Sequence, residues 1–266
     1  MPAINPTQLK IQSTELSEKF SQPDQYISAL HDLLSLYADR VKRPGQSGSP
    51  PPAIDAYHVS PPVLRHIERG VRGKIHTSPE EGLALIDALW EEEWLETRLL
   101  AAIFLGYIPS NFREEILSRV RTWVCSCKVD QLLESILHRA LSPLRDDQME
   151  SYFSFVNELS ALTEIKAEKA VLYTLKPLVM DEEFQNLPRI YQYLKPFIQK
   201  EDETYLSTLT ELVRVLAQRS ERETLFFLQH QIPTAPKPKI TRLVRGSLIA
   251  FSPSSQDVLK EAIRET

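Results

Sequence analysis

The chain has 266 residues, a formal net charge of -5, 19 prolines and only 7 glycines. It can bury a substantial core as one large or two small domains. Proline gathered at segment starts and scarce β-branched alternation exclude a sheet protein and point to an all-α chain.

No apolar run approaches twenty residues and no charged-then-apolar leader is seen, so neither a membrane span nor a secretory signal is expected. Two cysteines, Cys125 and Cys127, cannot make a disulfide scaffold, and their spacing is poor for a bridge. A reducing cytoplasm is the expected compartment. Negative net charge lowers the expectation of a nucleic-acid partner without excluding one, because binding follows the local field rather than the total.

Residues 5–43 read as two helices, about 5–20 and 23–43. The second carries the stripe Tyr26, Leu30, Leu33, Leu34, Tyr37 and Val41 and ends in Arg40, Lys42 and Arg43, cations suited to a helix C-terminus. The segment 44–53, PGQSGSPPPA, has no means of making a core and reads as a connector. The expected organisation is an N-terminal helical extension over 1–43, a linker over 44–53, and a helical-repeat domain over 54–266.

Beyond the linker, Ser60-Pro61, Ser78-Pro79 and Ser142-Pro143 each put a capping serine before a proline at the first helical position. Ser78 with Glu81, and Ser220 with Glu223, fit capping boxes. These marks predict helix pairs 60–74 with 78–91, 94–107 with 110–125, and 128–141 with 143–161. Further on they predict 164–178 with 182–199, 203–219 with 220–231, and 238–250 with 254–265. Pro188 and Pro196 should kink or split the 182–199 helix. A period of roughly 35–40 residues is that of HEAT-type repeats. Stacked pairs would form a curved solenoid with a concave face suited to duplex nucleic acid or to another protein.

The central stretch, 89–141, carries the most signal. One helix runs from about Trp94 to Gly106, the next starts behind Ser110 with Glu114 and Glu115 in its first turn, and a third carries Val129, Leu132, Leu133, Ile136 and Leu137. Asp130 sits at the start of the third.

The strongest basic signal is Lys237, Lys239, Arg242 and Arg245, four cations and no acid in nine residues. Arg242 and Arg245 share a helix face that could hold two phosphates; a solvated terminal cap is the plain alternative. Two other groups are diluted by acids. They are Arg65, Arg69, Arg72 and Lys74 with Glu68, and Arg98, Arg113, Arg119, Arg121 and Lys128 with Glu114 and Glu115. The cysteine pair lacks partners for zinc, the six histidines are scattered, and no glycine-rich phosphate loop exists. No metal or cofactor is expected. Trp90, Trp94 and Trp123 read as core aromatics before base-stacking platforms.

Four segments resemble, in order, the AlkD-like DNA alkylation repair proteins, HEAT-repeat DNA glycosylases that remove N-alkylated purines. AYHVSPPVLRHI (56–67) is similar to the family's G-V-x-x-P-x-x-R pattern. The LW…E.R.LA of 89–101, the W…VD.LL of 123–133, and the pair 209–232 and 238–248 follow it. The resemblance implies a site whose carboxylate stabilises an oxocarbenium-like sugar as the cationic purine leaves.

Asp130 matches the family's aspartate. Ser126 stands where a tryptophan is expected, Glu168 where an arginine is, and Arg214 where a second aromatic is; a gap near 161–175 would move the arginine match to Lys166 or Lys169. The leading expectation is a monomeric DNA-binding member of this group, its alkylpurine site lost or rebuilt, holding duplex or damaged DNA through Arg242, Arg245, Lys239, Lys237, Arg98 and Lys128. The alternatives are an active glycosylase using Asp130, and a protein-binding repeat scaffold.

Overall fold

The computed structural model describes residues 5–39, 53–162 and 165–265, and among them it is helical throughout, with an isolated bridge between Asp55 and Trp94 and no strand. The chain divides into two compact units, Met1–Ala170 and Val171–Thr266. The first holds α1 (Pro6–Glu18), α2 (Pro23–Tyr37), α3 (Pro61–Thr77), α4 (Pro79–Glu91), α5 (Leu95–Leu105) and α6 (Arg113–Ser126). It continues with α7 (Asp130–Ser135), α8 (Ser142–Asp147) and α9 (Met149–Ala161), and α10 (Ile165–Met180) crosses the boundary. The second holds α11 (Leu187–Gln199), α12 (Leu206–Arg219), α13 (Glu221–Gln231), α14 (Lys237–Ser247) and α15 (Pro253–Glu265).

Proline opens these helices as the sequence implies. It occupies one of the first two positions of α1, α2, α3, α4, α8, α11 and α14, and Pro253 begins α15. There its fixed φ is already helical and its missing N–H would have had no partner. The serine caps are a correction. Ser60, Ser78 and Ser220 stand at N-cap positions, yet none of their side chains makes the capping bond. Ser78 and Ser220 each close one helix and open the next in a single residue. Their backbones donate to Lys74 O and Leu216 O, both at 2.8 Å, with ψ of 73° and 85°. That double duty sets the backbone, and the hydroxyl follows it. Side-chain caps come instead from Asn5 and Asn186.

Pro188 is the second residue of α11, behind the Asn186 cap, so the expected 182–199 helix begins only at Leu187; Pro196 lies inside the helix. The expected 143–161 helix breaks at Gln148 (φ -135°), whose side chain donates to Ser110 O at 2.8 Å. The expected 128–141 helix changes at Ile136–Ala140 into a π-helical turn, an arrangement frequent at functional sites. Gly106 closes α5 for a steric reason: a Cβ there would come within 2.2 Å of Arg139 O in that turn. Ser142 Oγ ties the two, donating to Gly106 O and Arg139 O.

Helices pack on their sequence neighbours, α4 on α5 most closely, and also on the next but one. In the first unit α1 lies on α3, α3 on α5, α5 on α7 and the π turn, and α2 on α4. In the second unit α12 lies on α14, α11 on α13, and α13 on α15. The expected α2 stripe is buried at Tyr26, Leu30, Leu33, Leu34 and Tyr37. Each buried leucine of it contributes about 1.5–3 kcal/mol. Val41, the Arg40–Arg43 cluster and all but Ala53 of the 44–53 connector lie outside the described residues.

Candidate nucleic-acid interface

Asp130 opens α7 behind an extended Val129 (φ -117°, ψ 121°), so its carboxylate stands in the helix's electropositive first turn. Its side chain is 68% exposed, and Oδ2 lies 2.5 Å from the Lys169 ammonium of α10. Read without a gap, the family's arginine falls on Glu168. The neighbouring Lys169 is the residue that the fold brings to Asp130. Sequence could reach it only through the one-residue shift.

The tryptophans are core or half-buried. Trp123 is 3% exposed and stacks on Trp90 with centroids 4.1 Å apart and planes 12° apart. The Arg98 guanidinium lies 5.1 Å from the Trp90 ring centre, and its Nε donates to Trp90 O and Glu92 O, both at 3.0 Å. Ser126, at the expected tryptophan position, spends its hydroxyl on Thr122 O and Trp123 O. Trp94 stacks on Tyr57 at 4.1 Å. No indole of this group is left as an open platform beside Asp130.

Arg98 and Lys128 do come together. They line a cleft of about 550 Å³ with Asp55, Glu93, Ser126 and Leu132, in which two acids oppose the two cations. Cys125, exposed, and Cys127, buried, border it without a disulfide between them.

A second cleft, of about 510 Å³, was not legible in the sequence. Val59, Leu64, Leu95 and Leu99 make its apolar wall, and His58, Arg65, Gln131, Ser135 and Arg139 its polar wall. His58 has φ 54°, a left-handed backbone that a non-glycine residue seldom adopts. Glu96, 4% exposed, holds it there, its carboxylate accepting from Tyr57 N at 3.0 Å and Val59 N at 3.4 Å on either side. In the aligned pattern the family's glycine falls at His58, and that substitution is the signal that could have pointed here. Ser60 Oγ, also in the cleft lining, is buried with no hydrogen-bond partner. Left-handed non-glycine residues and π turns both collect at functional sites, and this cleft joins one of each.

Arg139 of the π turn pairs with Glu68 of α3, which also accepts from the Tyr107 hydroxyl. Burial first, and then this hydrogen bond, push the Tyr107 phenol up.

The cations of α14 divide. Lys239, expected to bind phosphate, is 2% exposed. Its ammonium donates to Phe197 O at 2.5 Å, Lys200 O at 2.9 Å and Asp202 O, so it closes the end of α11 and is unavailable to a phosphate. Arg242 is exposed but ion-paired with Glu203. Lys237 and Arg245 are exposed with no acid partner among the described residues. Arg214, where the family's second aromatic would fall, donates from Nε to Gly246 O at 2.8 Å.

The described residues form an all-helical scaffold, with Asp130 opening α7 and cations along α3 and α14. The chain belongs to the DNA alkylation repair enzyme family, AlkD-like, whose model matches residues 34–242. No curated protein and no solved structure matches it. The family supports a role in DNA alkylation repair. Among the described residues no helix is long and apolar enough to cross a membrane.

Proposed function

We propose that the chain is a monomeric, cytoplasmic DNA-binding protein of alkylation repair, built of HEAT-like helix pairs, that engages duplex DNA without depending on an aromatic base-binding cage. The family match over 34–242 carries this reading. Lys128 in the first unit, and Lys237, Arg242 and Arg245 in the second, are the contacts kept from the sequence expectation. Arg98, with its Nε spent on carbonyls, acts chiefly by placing its guanidinium at the cleft it shares with Lys128. The salt dependence of duplex affinity tests it: a steep fall of log K with log salt is expected, and absence of binding at low salt would sink the reading.

A second reading, excision of N3- or N7-alkylated purines, is favoured by the Asp130–Lys169 pair. Lys169 fixes the carboxylate and supplies a cation where the family has an arginine. Asp130 would stabilise the sugar cation as the purine departs with the bond's electrons, and a water would then add at the anomeric carbon. Against it stand the high exposure of Asp130, which weakens its field, and the stacking of the tryptophans on Tyr57 and on one another. Single-turnover release of 7-methylguanine from a methylated duplex decides between the two. Loss of release on Asp130→Asn supports excision; no release from folded wild-type protein leaves the binding role.

A further inference from the structure

The cations of the first unit are for the most part spent. Arg119 pairs with Asp87, Arg121 with Glu158, Arg139 with Glu68, and Arg145 with Asp146. Lys74 of α3 turns inward to Ser17 O at 2.6 Å. Three exposed arginines of α3, Arg65, Arg69 and Arg72, have no carboxylate partner among the described residues. They recur at intervals of four and three, and the exposed His76 follows four later. At 3.6 residues per turn the four positions fall within a sector of about 60°, along about 16 Å of helix.

The acids nearby do not cancel this row. Glu68, on the same helix, is covered by Arg139 and the Tyr107 hydroxyl. Arg72 is fixed over the Tyr107 ring at 5.0 Å. Arg69, Arg72 and His76 line a cleft of about 520 Å³ with Asp146 and Asp147, and Asp146 is held by Arg145. Two guanidinium groups and an imidazole therefore share that cleft with Asp147, and Arg65 lies in the His58 cleft, in a protein of net charge -5. Mutual repulsion of aligned, unpaired guanidinium groups disfavours this arrangement unless something anionic is brought to it.

We propose that Arg65, Arg69 and Arg72, with His76 at the far end, form a track for the sugar–phosphate backbone of one strand of duplex DNA. Consecutive phosphates of one strand are spaced along its backbone by roughly twice the 3.4 Å axial rise, so a row of about 16 Å spans about three of them, one for each arginine. Guanidinium forks suit phosphate oxygens in two-point contact. The row begins at Arg65 in the His58 cleft, so a strand following it is led to that cleft and to the Gln131 beside Asp130. This assignment rests on the DNA-binding reading and names where, on the first unit, the backbone is held.

The test is duplex affinity across a salt series for three proteins. They are the wild type, the triple variant Arg65→Gln, Arg69→Gln, Arg72→Gln, and the charge-keeping triple Arg65→Lys, Arg69→Lys, Arg72→Lys. At about 0.9 per phosphate contact, the glutamine triple should flatten the log–log slope by about 2.7 and weaken binding at about 0.1 M salt by about 100-fold or more. The lysine triple should keep the slope and lose part of the affinity, and all three should melt alike. An unchanged slope in the glutamine triple, with wild type still binding, overturns the track alone. Absence of wild-type binding overturns both readings. Competition by polyglutamate as strong as by duplex of equal charge would assign the row to an acidic protein and overturn it for DNA.

Discussion

Helices α3 and α14 are both rich in cations, and they use them differently. On α14 Lys239 is sunk into three carbonyls and Arg242 is held by Glu203, so half of the expected patch serves the second unit itself. On α3 the acid that should dilute the patch, Glu68, is occupied by Arg139 and Tyr107, while three arginines stay outward and unmatched by acid. The density of basic residues along a chain therefore says little about what a ligand meets. What matters is whether each side chain's partner has already been supplied by a neighbouring helix.

That contrast can be broken most readily at Lys239. Replacing it by methionine keeps the stem's packing but strands three carbonyls, and the expected loss is about 2–4 kcal/mol, read as a drop in the denaturant midpoint. The salt slope of DNA binding should stay the same. A flattened slope in a protein of unaltered stability would mean that Lys239 reaches a phosphate after all.

Glu203→Gln should sharpen the contrast. Freeing Arg242 makes α14 more like α3, so duplex affinity at low salt should rise several-fold and the slope steepen by about 0.9. No change would show that Arg242 does not meet the backbone even when released. Because the pair is exposed, stability should hardly move.

The smallest effect is expected in the loop leading into α3. His58→Gly relieves a left-handed backbone, and a gain of about 0.5–1 kcal/mol in unfolding free energy should follow, whereas His58→Val should lose about 1–2 kcal/mol. A destabilised glycine variant would mean that the imidazole is a packing element of the loop.

Much of the fold was legible locally. Prolines at helix starts, the α2 stripe and the 35–40-residue spacing set nearly every helix within a few residues, because a proline's φ and an apolar repeat act on the nearest turns of chain. The errors were local signals overridden at a distance: Gln148 tied to Ser110, serines shared by two helices, and an expected helix turned to π form against Gly106. Of the candidate site, Asp130 at the head of a helix could be read from residues alone. Lys169 beside it could be reached only by a register shift, and the His58 cleft only through the glycine that the family has at that position, since its clamp, Glu96, lies 37 and 39 residues along the chain from the amides it holds.

By itself, then, the sequence determined an all-helical chain, its punctuation and its family resemblance, all of which depend on short-range spacing. Only the tertiary structure decided which charges are available. A lysine is spent or offered according to carbonyls 37–42 residues away, and an acid cancels an arginine or leaves it open according to a partner 71 residues away. Electrostatic pairing acts through space over a few ångströms, and the chain order of the partners does not record it.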